Sequence, residues 1–308
     1  MRPEAPRRAT ARSLCLMSED PFVAHRSLLF TVAYEMLGSV ADAEDVVQET
    51  WLRWAALPAA DRGEVRDPRA YLVRIVTRLS LNRLRTLTRL REEYVGEWLP
   101  EPLLTSPDVA EDVELAESVS IAMLAVLETL LPTERAVFVL REVFDVPYDE
   151  IAAALDKSSA AVRQIASRAR KYVAARRPRT SVSRAEQERV VERFLAALTT
   201  GDVVGLLDVL APDVLLVGDG GGLVPTVPSP VRGAARLAPV MARFAELAPG
   251  TTAVIVDLNG GIAARIDPGG QNDTAVSFVI EGHRIAQIYA IRNPHKLQRL
   301  AEVAELRR

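Results

Sequence analysis

The stretch from Leu131 to Val173 constrains this chain most. It reads as a scaffold helix, a two-turn helix over Tyr148 to Leu155, a tight turn at Asp156 and Lys157, and a longer last helix. Pro132 suits a first helical turn and Thr133 is the expected cap. Ala136, Val137, Leu140, Val143 and Phe144 then recur at helical spacing as a buried stripe. Ile151, Ala152 and Leu155 give the short helix its apolar side, and Ser158 or Ser159 can cap the last helix. On a helical wheel Val162, Ile165, Ala166, Ala169 and Val173 face inward. Ala160, Gln164, Ser167 and Lys171 fall on the outer side with Arg163 and Arg170 flanking, and no acid occurs between Lys157 and Arg179. Small residues let such a helix approach a major groove, Gln bonds base edges, and Arg and Lys neutralise phosphates. A lone basic helix is usually just solvated. A short helix and a tight turn in front of it make a helix-turn-helix.

A chain of 308 residues has room for two or three domains. Its net charge of −3 conceals strong segregation, because the cations are bunched. The single Cys15 excludes an internal disulfide framework and fits a reducing cytoplasm. No apolar run approaches the ~20 residues of a membrane span. Residues 1–20 are rich in arginine without an apolar core, so a disordered leader is expected there and not a secretory signal. Met17 is an alternative start.

From Phe22 to Leu37, apolar residues cluster at helical spacing around Leu29, Val32, Ala33 and Met36, and Gly38 is the expected stop. Asp42 is the expected cap of the next helix, which places Val46, Val47, Trp51 and Trp54 on one side, with Trp51 taken as core. Its other side is acidic: Asp42, Glu44, Asp45, Gln48 and Glu49. Pro68 opens a long helix in which Arg74, Arg78, Asn82 and Arg85 form one exposed ridge. The segment before it, from Pro58 to Asp67, carries Arg62 and Arg66 and reads as a polar loop able to meet an unstacked base. Acidic and basic faces in succession point to two different partners.

The order GSVADAEDVVQETWLRW, DPRAYLVRIVTRLSLNRLR and then the helix-turn-helix resembles an extracytoplasmic-function sigma factor of bacterial RNA polymerase. The resemblance implies that Asp42, Asp45, Gln48 and Glu49 dock on core polymerase. It implies that Arg62, Arg66, Arg74, Arg78, Asn82 and Arg85 contact the −10 promoter element. Ser159, Ala160, Arg163, Gln164, Ser167 and Lys171 are then expected at the −35 element. The implied division is a region 2 domain over residues 21–91, a linker over 92–113 and a region 4 domain over 114–177. The turn before the last helix is Asp-Lys-Ser-Ser, without the family's common glycine.

The linker holds WLPEPLL, too apolar for a free connector, and its prolines forbid one continuous helix. It resembles the WLPEP motif of sigma factors with a fused SnoaL-like domain. Residues 183–308 agree with that resemblance. Two helices (SRAEQERVVERFLAALTTGD and VVGLLDVL) precede apolar runs DVLLVGD, TTAVIVDL, GIAARID, TAVSFVI and HRIAQIYAIR, the last two joined as a hairpin at Glu281-Gly282. Helices followed by antiparallel strands make an α+β domain. The expected whole is two all-α domains followed by an α+β SnoaL-like cone. The family's DGGGK stands here as Asp219-Gly220-Gly221-Gly222-Leu223 and its NPDKL as Asn293-Pro294-His295-Lys296-Leu297. Trp98, Leu99 and Pro100 are expected to dock near Asp219, Gly220 and Gly221 or near Asn293 and Pro294, so that the third domain modulates activity in cis.

Other chemistry is thinly represented. Asp213, Asp219, His283 and Tyr289 could serve acid–base catalysis in a cone pocket, but no spacing among them is diagnostic. His25, His283 and His295 are scattered without zinc spacing, and no cofactor or metal is expected. Promoter DNA and core polymerase are the expected partners, in the cytoplasm, with room for an unidentified small ligand in the third domain. A ligand-sensing one-component regulator and a DNA-tethered isomerase or cyclase are the competing readings.

Overall fold

The computed structural model describes residues 20–177, 182–267, 274–300 and 302–307, without the side chains of residues 89, 90 and 92. The leader, Cys15, Met17 and Arg179 lie outside the described residues. Among those described, no helix is long and apolar enough to cross a membrane.

Helix α1 (Pro21–Leu37) starts at Asp20, whose carboxylate accepts from the Phe22 N–H, and stops at Gly38 in the left-handed region (φ 65°). From Leu28 to Leu37 every residue is buried, so α1 is a central helix and not a one-sided one. Helix α2 (Val40–Ala55) is capped by Ser39 and not by Asp42: the Ser39 hydroxyl accepts from the Asp42 N–H. Trp54, and not Trp51, is the fully buried tryptophan, its indole bonded to Asp20 at 3.1 Å; Trp51 is half-buried against Phe22. The expected polar loop contains a short helix, α3 (Ala59–Glu64), consistent with two alanines and an acid in its first turn. Helix α4 (Pro68–Glu92) follows as expected.

After strand β1 (Leu104–Thr105) come α5 (Pro107–Glu111), α6 (Val113–Val119) and α7 (Ile121–Leu127). Helix α8 (Pro132–Phe138) passes into a π-turn over Val139–Val143. Its first turn is served by Glu134, whose carboxylate accepts from the Leu131 N–H at 3.4 Å, and not by Thr133. Helices α9 (Tyr148–Leu155) and α10 (Ser159–Ala174) complete the helix-turn-helix. One continuous core runs from Phe22 to Val173, so the N-terminal helices and the helix-turn-helix unit are packed directly together.

The C-terminal unit begins with α11 (Arg184–Thr200) and α12 (Val203–Val209). Strands β2 (Leu210–Asp219) and β3 (Val231–Arg232) follow, then α13 (Ala234–Ala242) and α14 (Phe244–Leu247). Strands β4 (Thr252–Leu258), β5 (Gly261–Asp267), β6 (Thr274–Glu281) and β7 (Arg284–Ile291), short helix α15 (Pro294–Leu297) and strand β8 (Val303–Ala304) end the chain. Among the described residues the sheet order is β3-β2-β7-β6-β5-β4-β1-β8. It is mixed and not purely antiparallel, because β2 runs parallel to β7 and β1 parallel to β8.

Successive strand residues point to opposite faces. One face, with Ile262, Ala264, Val276, Ile280 and Ile288, is covered by α11, α12 and α13. The other, with Ala263, Ala275, Val279, Tyr289 and Ile291, packs on Leu99 of the linker and on Ile121 and Ala122 of α7. The sheet is therefore sandwiched between its own helices and the helical half of the molecule.

Candidate nucleic-acid interface

The turn between α9 and α10 needs one residue in the left-handed region, and Asp156 takes it (φ 53°, ψ 53°). Asp is among the few residues that visit this region at modest cost, which accounts for a working turn without glycine. Ser158 caps α10 by accepting from the Ala161 N–H, while the Ser159 hydroxyl bonds Asp149. Val162, Ala166, Ala169 and Val173 are buried; Ala160, Arg163, Gln164, Ser167 and Lys171 are exposed and Ser159 is half-buried. Arg163 lies over the Tyr148 ring at 5.4 Å. Arg170 is turned to Glu142 at 2.7 and 2.9 Å, an interaction that raises its pKa further.

On α4, Arg74, Asn82 and Arg85 are exposed, as is Arg66 before it; Arg62 on α3 is half-buried. Arg74 rests over Tyr71 at 5.2 Å. Arg78 is different. Its Nε and Nη2 donate to the carbonyls of Ala154 and Ala153, both at 2.9 Å, at the C-terminal end of α9 where unpaired carbonyls attract a cation. The ridge is thus held in part by the helix-turn-helix itself.

On α2, Asp45, Gln48 and Glu49 are exposed, beside a 59% exposed Leu52. Asp42 does not share that face: it is buried and paired with Arg83 of α4, its carboxylate accepting from Nε at 2.6 Å. It ties α2 to α4.

The linker makes the densest polar contacts. Asp219, fully buried at the end of β2, accepts from the Leu99 N–H at 2.9 Å, the Tyr94 hydroxyl at 2.6 Å and Lys296 Nζ at 2.6 Å. Asn293 donates to the Tyr94 oxygen at 2.7 Å. Burial, reinforced by Asp219, raises the Tyr94 pKa, so the phenol stays a donor. Gly221 is required by close approach: a Cβ there would lie 2.4 Å from Asn293 Nδ2, in a left-handed conformation (φ 62°). Arg91 and Lys296 both lie over the Trp98 ring, at 3.6 and 4.0 Å from its centroid, and the edge of the indole abuts Gly38. Glu101 accepts from the Val40 N–H at 2.6 Å, adding an anion at the N-terminus of α2. Asn259 accepts from the Leu103 N–H and donates to Tyr34 and the Val119 carbonyl. The linker therefore docks on α1, α2 and the C-terminal sheet together, with β1 added beside β4.

Residues 22–90 match the Sigma-70 region 2 family and residues 120–173 the Sigma-70, region 4 family. The chain is 44% identical over 222 residues to the ECF RNA polymerase sigma factor SigJ of Mycobacterium tuberculosis, covering 70% of each. It is 32% identical over 289 residues to the probable ECF RNA polymerase sigma factor SigI of the same species, covering 90% of this chain and 93% of that one. The chain belongs to the ECF RNA polymerase sigma factors. The crystal structure of the M. tuberculosis extracytoplasmic function sigma factor SigJ superposes with a TM-score of 0.72 at 36% identity, over 91% of this chain and 98% of that one.

In this sigma factor the four groups considered for catalysis each have other partners. Asp213 is exposed near Arg232, and His283 is exposed on Glu186. Tyr289 bonds Gln287 on the face turned to the linker, and burial pushes its phenol up to about 12. Asp219 belongs to the linker contact. Among the described residues no group of His, Cys, Asp and Glu could hold a metal ion. Sequence reasoning passed over Tyr34, Tyr94, Glu101 and Asn259, and assigned no role to Lys296. Their common signal is a polar side chain inside an apolar segment, which requires a partner when buried.

Proposed function

We propose that this sigma factor docks on core RNA polymerase through Asp45, Gln48 and Glu49, contacts the −10 element through the α4 ridge, and reads the −35 element through α10. The C-terminal domain acts on that machinery in cis, by holding the linker, and not by catalysis. The observation that carries this reading is the buried Asp219 carboxylate, which grips the linker backbone at Leu99 while Lys296 neutralises it. A buried pair of this kind is disrupted more easily than it is replaced, since losing one partner strands the other. A small ligand has no part in this proposal, and a cytoplasmic site of action follows from the role.

The test is promoter-specific transcription in vitro with core enzyme, comparing the full chain with Asp219→Asn and Trp98→Ala. Each variant should change output by roughly tenfold, as a shift of about 1.4 kcal/mol in domain arrangement gives. Melting of the helical half should stay in place. Two folded variants that transcribe like the parent would make the C-terminal domain a passenger. DNA binding that is complete without core enzyme would favour the one-component regulator.

A further inference from the structure

Glu35 belongs to no promoter-facing or polymerase-facing surface, yet it is fully buried on α1 at the seam with the region 4 helices. Its Oε1 lies 2.8 Å from the Ser118 hydroxyl, which lies 2.9 Å from the Leu115 carbonyl. A serine hydroxyl has one proton to donate. With Glu35 ionised, that one proton must serve two acceptors. With Glu35 protonated, the carboxyl donates to Ser118, Ser118 donates to Leu115, and both contacts are made. Among the described residues Oε2 has no hydrogen-bond partner, which a buried anion tolerates poorly.

The surrounding charges are engaged mainly elsewhere, although Arg135 Nη2, like Glu35 Oε2, has no hydrogen-bond partner among the described residues. Arg135 on α8, also buried, gives Nε to the Glu35 backbone carbonyl at 2.9 Å and Nη1 to Glu128. Glu128 also takes Arg91 from α4. Tyr34, next to Glu35 on α1, is held as a neutral phenol, its pKa raised by burial. Burial pushes the Glu35 carboxyl up to about 8, against the Ser118 hydrogen bond and the Arg135 charge.

The seam has to part for promoter recognition. The −10 and −35 elements lie roughly 25 base pairs apart, about 85 Å at 3.4 Å per pair. In the closed molecule Arg78 of the −10-facing helix is bonded to Ala153 in the −35-reading unit. We propose that Glu35 is a protonation-controlled latch between these two domains, donating its proton to Ser118 when they are closed and ionising when they part. The parting rests on the promoter-binding reading above; the protonation of Glu35 does not.

The sign follows from the raised value. The closed form holds a proton that an exposed glutamate, with a pKa of ~4.3, releases. Closure is therefore favoured fully below that ordinary value and is weakened as pH rises toward about 8. Lys296, lowered to about 8 by burial, faces the linker and Asp219, and its own titration is common to both chains compared below.

The test uses the full chain with Cys15→Ser and a donor–acceptor dye pair on Asp61→Cys and Ala175→Cys, one in each domain. The closed-to-open ratio is measured from pH 5.5 to 7.5, with and without Glu35→Gln, whose amide donates to Ser118 at every pH. Every titrating group other than residue 35 is common to both chains and cancels. The parent's ratio, divided by that of the variant, should fall by up to roughly tenfold per pH unit. Parallel curves would overturn the latch. Where Glu35→Gln does not fold, infrared spectra of the free parent protein labelled with carboxyl-13C glutamate decide the matter. A protonated glutamic-acid carbonyl band at pH 7 that persists in Glu101→Gln, whose carboxyl is also raised by burial, upholds the latch, and its absence overturns it.

Discussion

Helices α2 and α4 lie side by side, carry opposite charge, and differ in what the closed molecule does with them. The acidic side of α2 is open to solvent: Asp45, Gln48 and Glu49 are exposed, and Glu49 is paired with Arg53. The basic ridge of α4 is partly occupied, because Arg78 is bonded to the end of α9. On the function proposed above, the polymerase-facing surface is ready in the free protein while part of the promoter-facing surface is folded away. On that proposal the expected order is polymerase first, then opening, then DNA.

The contrast breaks most sharply on the acidic side. Asp45→Arg with Glu49→Arg should weaken core-polymerase binding by roughly a hundredfold or more, about 2.7 kcal/mol, through like-charge repulsion. Thermal melting should not move, since both side chains are exposed; unchanged affinity in the folded double variant would remove the docking role.

A smaller effect is expected on α10, the part of the reading surface that closure leaves exposed. Gln164→Ala should lose ~1–3 kcal/mol of discrimination at one −35 base pair, whereas Lys171→Ala should weaken all sequences alike and lower the salt slope by about 0.9. Binding to a panel of −35 variants over a salt series separates the two. An unaltered base preference in Gln164→Ala would mean that another face reads the DNA.

The smallest effect belongs to the occupied ridge. Arg78 is exposed on its outer side, so its two hydrogen bonds to α9 contribute about 1 kcal/mol to closure. Arg78→Ala should raise the open population of the free protein by roughly fivefold, read as faster proteolysis at the linker. Protease sensitivity equal to the parent's would show that other contacts hold the domains together.

These contrasts were legible in the sequence to different degrees. The recognition helix could be read because 3.6-residue periodicity separates Val162, Ala166, Ala169 and Val173 from Gln164 and Lys171 with little help from the rest of the fold. Caps were less legible: Ser39 and Asp42 are both good N-cap residues within three positions, and only the backbone decides between them. Strands β1 and β8 are two residues each, too short for a periodic signal, and exist because β4 and the linker pair there. Helix α13 contains Pro239 in its interior, where it removes a backbone hydrogen bond and reads as a breaker, and the helix is held by the burial of Ala234, Leu237, Ala238 and Ala242. The motifs flagged Asp219 and Asn293, but the pairing of Asp219 with Lys296 and Tyr94 spans long separations that no local pattern encodes. Glu35 carried one signal, a carboxylate within a segment buried all round.

The closed arrangement is tested most directly by a spin-label distance between α3 and the end of α10, taken on the free chain and again in a complex with core polymerase and promoter DNA. The free chain should give one short distance, and the complex a distance longer by tens of ångströms, as promoter elements about 85 Å apart require. A free chain already at the long distance, or a complex still at the short one, would contradict it.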